Sequence, residues 1–189
     1  KELRDERLRK LDELTKLGVN AYPANTSPKH DIAPMVARFN ELEGQTVTVA
    51  GRIMTTRKFG KLAFLVVRDM SGQVQLFLKS DAVAPLDAAK SQLGMEQLNL
   101  LDPGDFVEAT GPLIRTKTGE ISVDVRELRL LTKSLRGMPT DQEGFTNKEE
   151  RLRRRYVDMN VNRDVRDRFV RRAKFWSATR KFLDARGFV

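Results

Sequence analysis

The stretch Thr46–Leu78, TVTVAGRIMTTRKFGKLAFLVVRDMSGQVQLFL, constrains the fold more than any other. Val47, Val49, Gly51 and Ile53 alternate onto one face of a strand. A basic turn containing Gly60 follows, then an apolar run from Leu62 to Val67, a Ser-Gly turn at residues 71 and 72, and a third run from Val74 to Leu78. Period-two patterning punctuated by short turns predicts a three-stranded antiparallel meander. From Thr46 to Arg68 the meander carries Arg52, Arg57, Lys58, Lys61 and Arg68 and no acidic residue.

The same patterning continues farther on. Residues 105–111 read as a fourth strand, Arg115–Glu120 as a turn, and Ile121, Val123, Val125 and Leu128 as a last strand. Between the third and fourth strands, residues 80–102 place Ala82, Ala88, Leu93, Leu98 and Leu101 at spacings that predict a helical insertion, closed by Asp102-Pro103-Gly104. Three strands, a helix and two strands is the order of an OB-fold, a small five-stranded barrel. A barrel of the SH3 kind is the main rival, and the expected helix favours the OB order.

The flanks are helical. Leu3, Leu8, Leu11, Leu14 and Leu17 predict an amphipathic helix over 1–17, ended by Gly18 and by Pro23 and Pro28 beyond it. Residues 19–45 form a connector with a short helix from Ile32 to Phe39. The only histidine, His30, lies in this connector without a second metal-ligating or catalytic partner nearby, so it reads as a solvent-facing loop residue. Asn25-Thr26-Ser27 matches a glycosylation sequon, and without a secretory signal it reads as coincidence. Gly137, Pro139 and Gly144 mark a linker with a boundary near residue 140. Val165, Phe169, Trp176 and Leu183 then predict an amphipathic helix over 164–186, stopped at Gly187. Its apolar stripe needs a partner, expected to be more of the molecule or a second copy.

Charge narrows the function. The chain of 189 residues has a formal net charge of +9, which makes a polyanion the first partner to consider. From Lys148 to Val189 there are 14 basic and 6 acidic residues, so most of the surplus lies beyond the barrel. With no cysteine there is neither a disulfide nor a thiolate metal site, and a cytoplasmic location is expected. No apolar run approaches the roughly 20 residues of a membrane-spanning helix. There is no phosphate-binding Gly-rich loop and no zinc-ligand spacing. Lys117-Thr118-Gly119 copies a penicillin-binding word but lacks the Ser-x-x-Lys that would give it meaning.

What remains is binding chemistry. Phe64 on the second strand, Arg57 before it, Gln75 on the third and Glu120 beside the last are residues of the kind that stack on an unpaired base and bond to its edge. Spacing alone leaves Phe64 open between core and platform. It likewise leaves Arg57, Lys58, Lys61 and Glu120 open to being solvated turn residues.

Several longer words carry a resemblance. Gly51-Arg52-Ile53-Met54 through Arg57, Gly60-Lys61, Phe64, Asp69, Gly72 and Gln75, then Thr116–Ser122 and Leu130–Leu135, and finally Glu150–Asp158 and Arg186-Gly187-Phe188, resemble bacterial-type lysyl-tRNA synthetase, a class II enzyme. The paired words TKTGE and LLTKSL separate it from the related aspartyl and asparaginyl enzymes; Leu152 and Arg154 depart from its usual pattern. The resemblance implies an anticodon-binding domain over 1–144, with the barrel at about 46–135, and a linker and first helix of a truncated catalytic domain over 145–189. It implies that Phe64 stacks on the central uracil of the tRNA(Lys) anticodon, that Arg57 and Glu120 bond to its edge, and that Gln75 sits against a neighbouring base. Arg52, Lys58, Lys61 and Lys117 become candidate contacts to the tRNA backbone. No metal or cofactor is expected on this chain. ATP, Mg2+ and lysine belong to the full-length enzyme, a homodimer in the family, whose motifs are expected beyond Val189. A free-standing single-strand binder without sequence preference is the alternative, and a protein-interaction or membrane-surface domain is the third reading.

Overall fold

The structure is a computed structural model and describes residues 2–27, 29–137, 139 and 145–188. The chain divides into two compact units between Gly137 and Met138.

In the first unit, six strands form one sheet: β1 (Thr46–Phe59), β2 (Leu62–Arg68), β3 (Gln73–Lys79), β4 (Phe106–Arg115), β5 (Ile121–Asp124) and β6 (Glu127–Thr132). Their order is β1-β2-β3-β5-β4-β6, and a further pairing of β1 with β4 closes the sheet on itself. All pairs are antiparallel except β3 with β5. The expected last strand is thus interrupted at Val125-Arg126, where β5 ends against β3 and β6 continues along β4. With β5 and β6 taken as one broken strand, this is the five-stranded barrel predicted.

The 14 residues of β1 serve two partners: residues 46–52 pair with β4 and residues 52–59 with β2. Between Ile53 and Thr55 the register to β2 slips by one residue, a bulge at Met54. Before it, the odd positions Val47, Val49 and Ile53 are buried in the core. After it, odd positions pair with outward residues instead: Thr55 with Val66, Arg57 with Phe64, Phe59 with Leu62. One extra residue exchanges the two faces of a strand. If the same residues ran in unbroken alternation, Arg57 would share the parity of Ile53 and point into the barrel.

The α-helix expected between the third and fourth strands does not form. Two short 3-10 turns, Ala88–Lys90 and Met95–Leu100, stand there. The reason lies in the backbone of residues 91–93: Leu93 N–H donates to the Leu128 carbonyl at 2.7 Å, and Ser91 accepts from Leu130 N–H at 2.9 Å. The segment covers the outer edge of β6, and a helix would leave those strand groups unpaired. Its apolar residues Leu93, Leu98, Leu100 and Leu101 still fill the core.

Helix α1 (Glu2–Lys16) ends at Gly18, whose φ of +76° is the left-handed conformation a helix stop requires. It docks on Leu14 and, contrary to the leucine stripe, on Arg7, while Leu3 and Leu17 stay exposed. Arg7 reaches the carbonyls of Pro103, Ser134 and Arg136. Beside it Lys133 is completely buried, its ammonium donating to Asp102, Asp105 and the Leu100 carbonyl at 2.5–2.8 Å. Lys10 of α1 meets the other Asp102 oxygen at 2.6 Å. Helices α2 (Ile32–Ala37) and α3 (Phe39–Leu42) split the helix expected in the connector. The free N–H groups of α2 are met from a distance: Ile32 donates to Asp69 and Ala33 to Ser71, both in the β2–β3 turn. His30 is exposed, and its Nδ1 takes the N–H of Thr48 at 3.2 Å.

The second unit holds α4 (Lys148–Arg153), α5 (Arg155–Val161) and α6 (Arg163–Asp184). Asn147 caps α4 by accepting from Glu150 N–H. Buried Asp158 gathers Arg151, Arg155 and Asn162 at 2.6–2.9 Å. Of the α6 stripe Val165 is buried, whereas Phe169, Trp176 and Leu183 remain exposed. Gly187, with φ +79°, follows the helix where a stop was expected. No helix among the described residues is long and apolar enough to cross a membrane.

Candidate nucleic-acid interface

The outer face of β1–β3 is built in rows. Strand register sets Arg57 opposite Phe64, Phe64 opposite Phe77, and Phe77 opposite Asp124. A neighbouring row runs Thr55, Val66, Gln75, Ser122 and Ile114. Phe64 is half-buried between the core residues Ala63 and Leu65, and alternation turns its ring outward.

That ring is not isolated. Phe64 and Phe77 stack with centroids 5.0 Å apart and planes 11° from parallel, closer than coplanar rings could approach, so one face of Phe64 lies against Phe77. Phe59 meets Phe64 edgewise at 6.2 Å. Lys79 stands 5.3 Å from the Phe77 centroid and is held there by Asp124 at 3.1 Å. The other face of Phe64 is turned away from Phe77, toward β1, where Arg57 pairs with it.

Beside this row lies a hollow of about 390 Å³ lined by Arg57, Val66, Gln73, Val74, Gln75, Thr118 and Glu120. Glu120 comes from the β4–β5 turn, which is braced from within. Thr116 N–H donates to the Glu120 carbonyl at 2.9 Å, Glu120 N–H to Thr116 Oγ1 at 3.2 Å, and Arg115 to the Gly119 carbonyl at 3.0 Å. Gly119 has a φ of +88°, which a side chain at that point of the turn would resist. Gln75 donates through Nε2 to Ser122 Oγ at 2.9 Å, which leaves its carbonyl oxygen as an acceptor. The Arg57 guanidinium and the Glu120 carboxylate have no hydrogen bond or ion pair among the described residues. The hollow therefore offers a donor fork, a carboxylate acceptor and an amide oxygen beside an aromatic ring.

Of the residues singled out from sequence, Arg57, Gln75 and Glu120 line this hollow, and Phe64 stands in the next row. Lys61 and Lys117 are exposed at the tips of the β1–β2 and β4–β5 turns. Lys58 has the opposite parity to Arg57 and donates to Asn99 at 2.7 Å; burial, then the charge of Lys10, lowers its pKa. Arg52 lies on the far side of the bulge, 4.6 Å from the Phe106 centroid, and burial, then Arg68, lowers its pKa. The structure adds Phe59, Phe77, Gln73, Thr118 and Val66 to this surface. Phe77 shares parity with Gln75, a signal open to a reader of the sequence; Phe59 shares it with Arg57 once the bulge is known. Among the described residues no three His, Asp or Glu side chains gather to hold a metal ion.

Comparison with known proteins agrees with this geometry. Residues 47–131 match the family model described as OB-fold nucleic acid binding domain. Over its whole length the chain is 38% identical to a lysine–tRNA ligase of Anaeromyxobacter sp. (strain K) and 43% identical to one of Roseiflexus sp. (strain RS-1). Over 97% of its length it is 41% identical to one of Moorella thermoacetica. It spans 36–38% of the length of these relatives. With the barrel closed and the likeness extending through both units, the chain carries an OB-fold nucleic acid binding domain and is similar over its whole length to part of the lysine–tRNA ligases.

Proposed function

We propose that the barrel reads the anticodon of tRNA(Lys). The observation that carries this reading is the pair Arg57 and Glu120, which line one hollow beside Phe64 and whose side chains have no hydrogen bond or ion pair among the described residues. Uracil presents a carbonyl acceptor next to an N–H donor, which an Arg donor and a Glu acceptor complement. Cytosine reverses that order and would leave buried polar groups unpaired, a penalty of roughly 1–3 kcal/mol. The base stacks on the face of Phe64 turned away from Phe77, an interaction worth about 1–3 kcal/mol. Gln75 bonds to a neighbouring anticodon base, and Lys61 and Lys117 at the two turn tips meet phosphates.

The relatives are named for joining lysine to tRNA. By extension, residues 1–144 serve as the anticodon-binding domain and 145–189 as a linker and first helix of a catalytic domain. The complete protein, a cytoplasmic homodimer, activates lysine with ATP and Mg2+ and transfers it to tRNA(Lys). The inference for ATP and Mg2+ rests on the relatives alone, and this chain by itself is expected to be inactive in adenylate formation.

The test is a titration of a lysine-anticodon stem-loop. Phe64→Ala and Glu120→Gln each weaken binding at least several-fold, and a cytosine at the central position does the same in the unaltered chain. Unchanged affinity in both variants overturns the reading. Equal competition by a scrambled loop at the same salt would instead support a single-strand binder without sequence preference.

A further inference from the structure

Phe59 is the last residue of β1, at the tip of the β1–β2 hairpin, and is 62% exposed. A single exposed aromatic is ordinary on a protein surface, but this one extends the outer face that carries Phe64 and Phe77. This one is also firmly placed. Gly60 follows it with a φ of +57°, the left-handed conformation that the first central residue of a tight hairpin turn needs. Phe59 pairs across that turn with Leu62 and meets Phe64 edgewise, its plane turned 68° from that ring. Along β1 and β2 the order is then the hollow, the row of Arg57 and Phe64, and the row of Phe59 and Leu62. Successive rows on one face are about 7 Å apart.

The setting says what it is suited to meet. Between Thr46 and Arg68 there is no acidic residue, and Lys61 is the next residue but one. An apolar protein segment would find no charge complement here, whereas a strand of nucleotides brings a flat ring for Phe59 and a phosphate for Lys61. We infer that Phe59 is a second stacking shelf, taking the nucleobase next in the loop to the one on Phe64. The inference rests on the anticodon reading and extends it by one nucleotide. Because the shelf offers a ring and no hydrogen-bonding group, it accepts any base and prefers the larger purine surface.

The experiment uses the chain of 189 residues and a lysine-anticodon stem-loop carrying an abasic nucleotide at each loop position in turn. Phe59→Leu keeps the apolar bulk and loses the stack. It is expected to weaken the intact loop about fivefold or more, while Phe59→Trp matches or exceeds the unaltered chain. At one position flanking the central base, the abasic loss seen with the unaltered chain disappears in Phe59→Leu. The Phe59→Leu loss is the same at low and high salt, whereas Lys61→Gln reduces the salt slope by about one ion. Wild-type affinity of Phe59→Leu, or abasic losses equal in both backgrounds, overturns the shelf while a loss in Phe64→Ala leaves the anticodon reading standing. If Phe64→Ala also binds normally, the reading beneath fails and the shelf falls with it.

Discussion

Two groups of charged residues in this chain come from neighbouring words of sequence and meet opposite fates. Lys133, from LLTKSL, is buried among Asp102, Asp105 and a backbone carbonyl, and Lys10 completes the cluster from α1. Glu120, from TKTGE, lines one hollow with Arg57, and neither side chain has a hydrogen bond or ion pair among the described residues. The first group is complete within the fold, because a charge out of water must be answered on every side. The second is left in water, where an unpaired charge costs little, and so remains available to a ligand. Both words mark the family; one builds the scaffold and the other equips its surface.

The comparison can be broken most forcefully by inserting one alanine between Thr55 and Thr56. One residue added beyond the bulge carries Arg57 to the core face, an unpaired cation with no Asp102 or Asp105 to receive it. Unfolding in urea should show a loss of at least about 3 kcal/mol together with loss of stem-loop binding. Stability near that of the parent would mean that the residue count after the bulge does not decide which face Arg57 occupies.

Lys133→Ala comes next. It strands Asp105 and costs about 3–5 kcal/mol in thermal or urea unfolding, while below its melting range the protein still prefers the lysine anticodon over a scrambled loop. Lost preference in a folded variant would show that the two groups are not separate.

The third effect is the acid limb of stability. Burial alone raises the Asp102 carboxyl, but hydrogen bonds from Lys10 and Lys133, with their charges, bring it net below the ordinary value. A group lowered in the folded state contributes stability that is fully present above its unfolded pKa, about 3.9, and is lost as pH falls through the folded value. Denaturation between about pH 5 and pH 2 should therefore show a steep loss that Asp102→Asn flattens. The smallest effect belongs to Glu120→Gln, expected to change stability by no more than about 0.5 kcal/mol while weakening stem-loop binding. A clear destabilisation would mean that Glu120 serves the fold.

Alternation made β1, β2 and β3 legible, because each has one wet face. Three features escaped it. The bulge left no trace in the run IMTTRKF, where strict parity sends Arg57 inward. The segment 80–102 has leucines at helical spacing, yet its backbone is taken up by the edge of β6, a demand that only the assembled sheet imposes. Nothing in the sequence marks Arg7 and Lys133 for burial, because charge is ordinarily a surface signal and their burial depends on acceptors supplied from 100–105 and 134–136. For the surface itself, residue types gave Arg57, Phe64, Gln75 and Glu120, but not Phe77 or Phe59, since an aromatic in an apolar strand looks like core until its row is known.

The stack of Phe64 on Phe77 has a last consequence. A ring wedged between neighbouring strands, and backed by a lysine that an aspartate holds, has given up its rotamer freedom during folding. The usual ordering penalty of about 0.5–1.5 kcal/mol per side chain would therefore not fall on a base that stacked there, as proposed. On that proposal the same rigidity would remove forgiveness: a wrong base could not be accommodated by a swinging side chain, and its misfit would appear in full as faster dissociation.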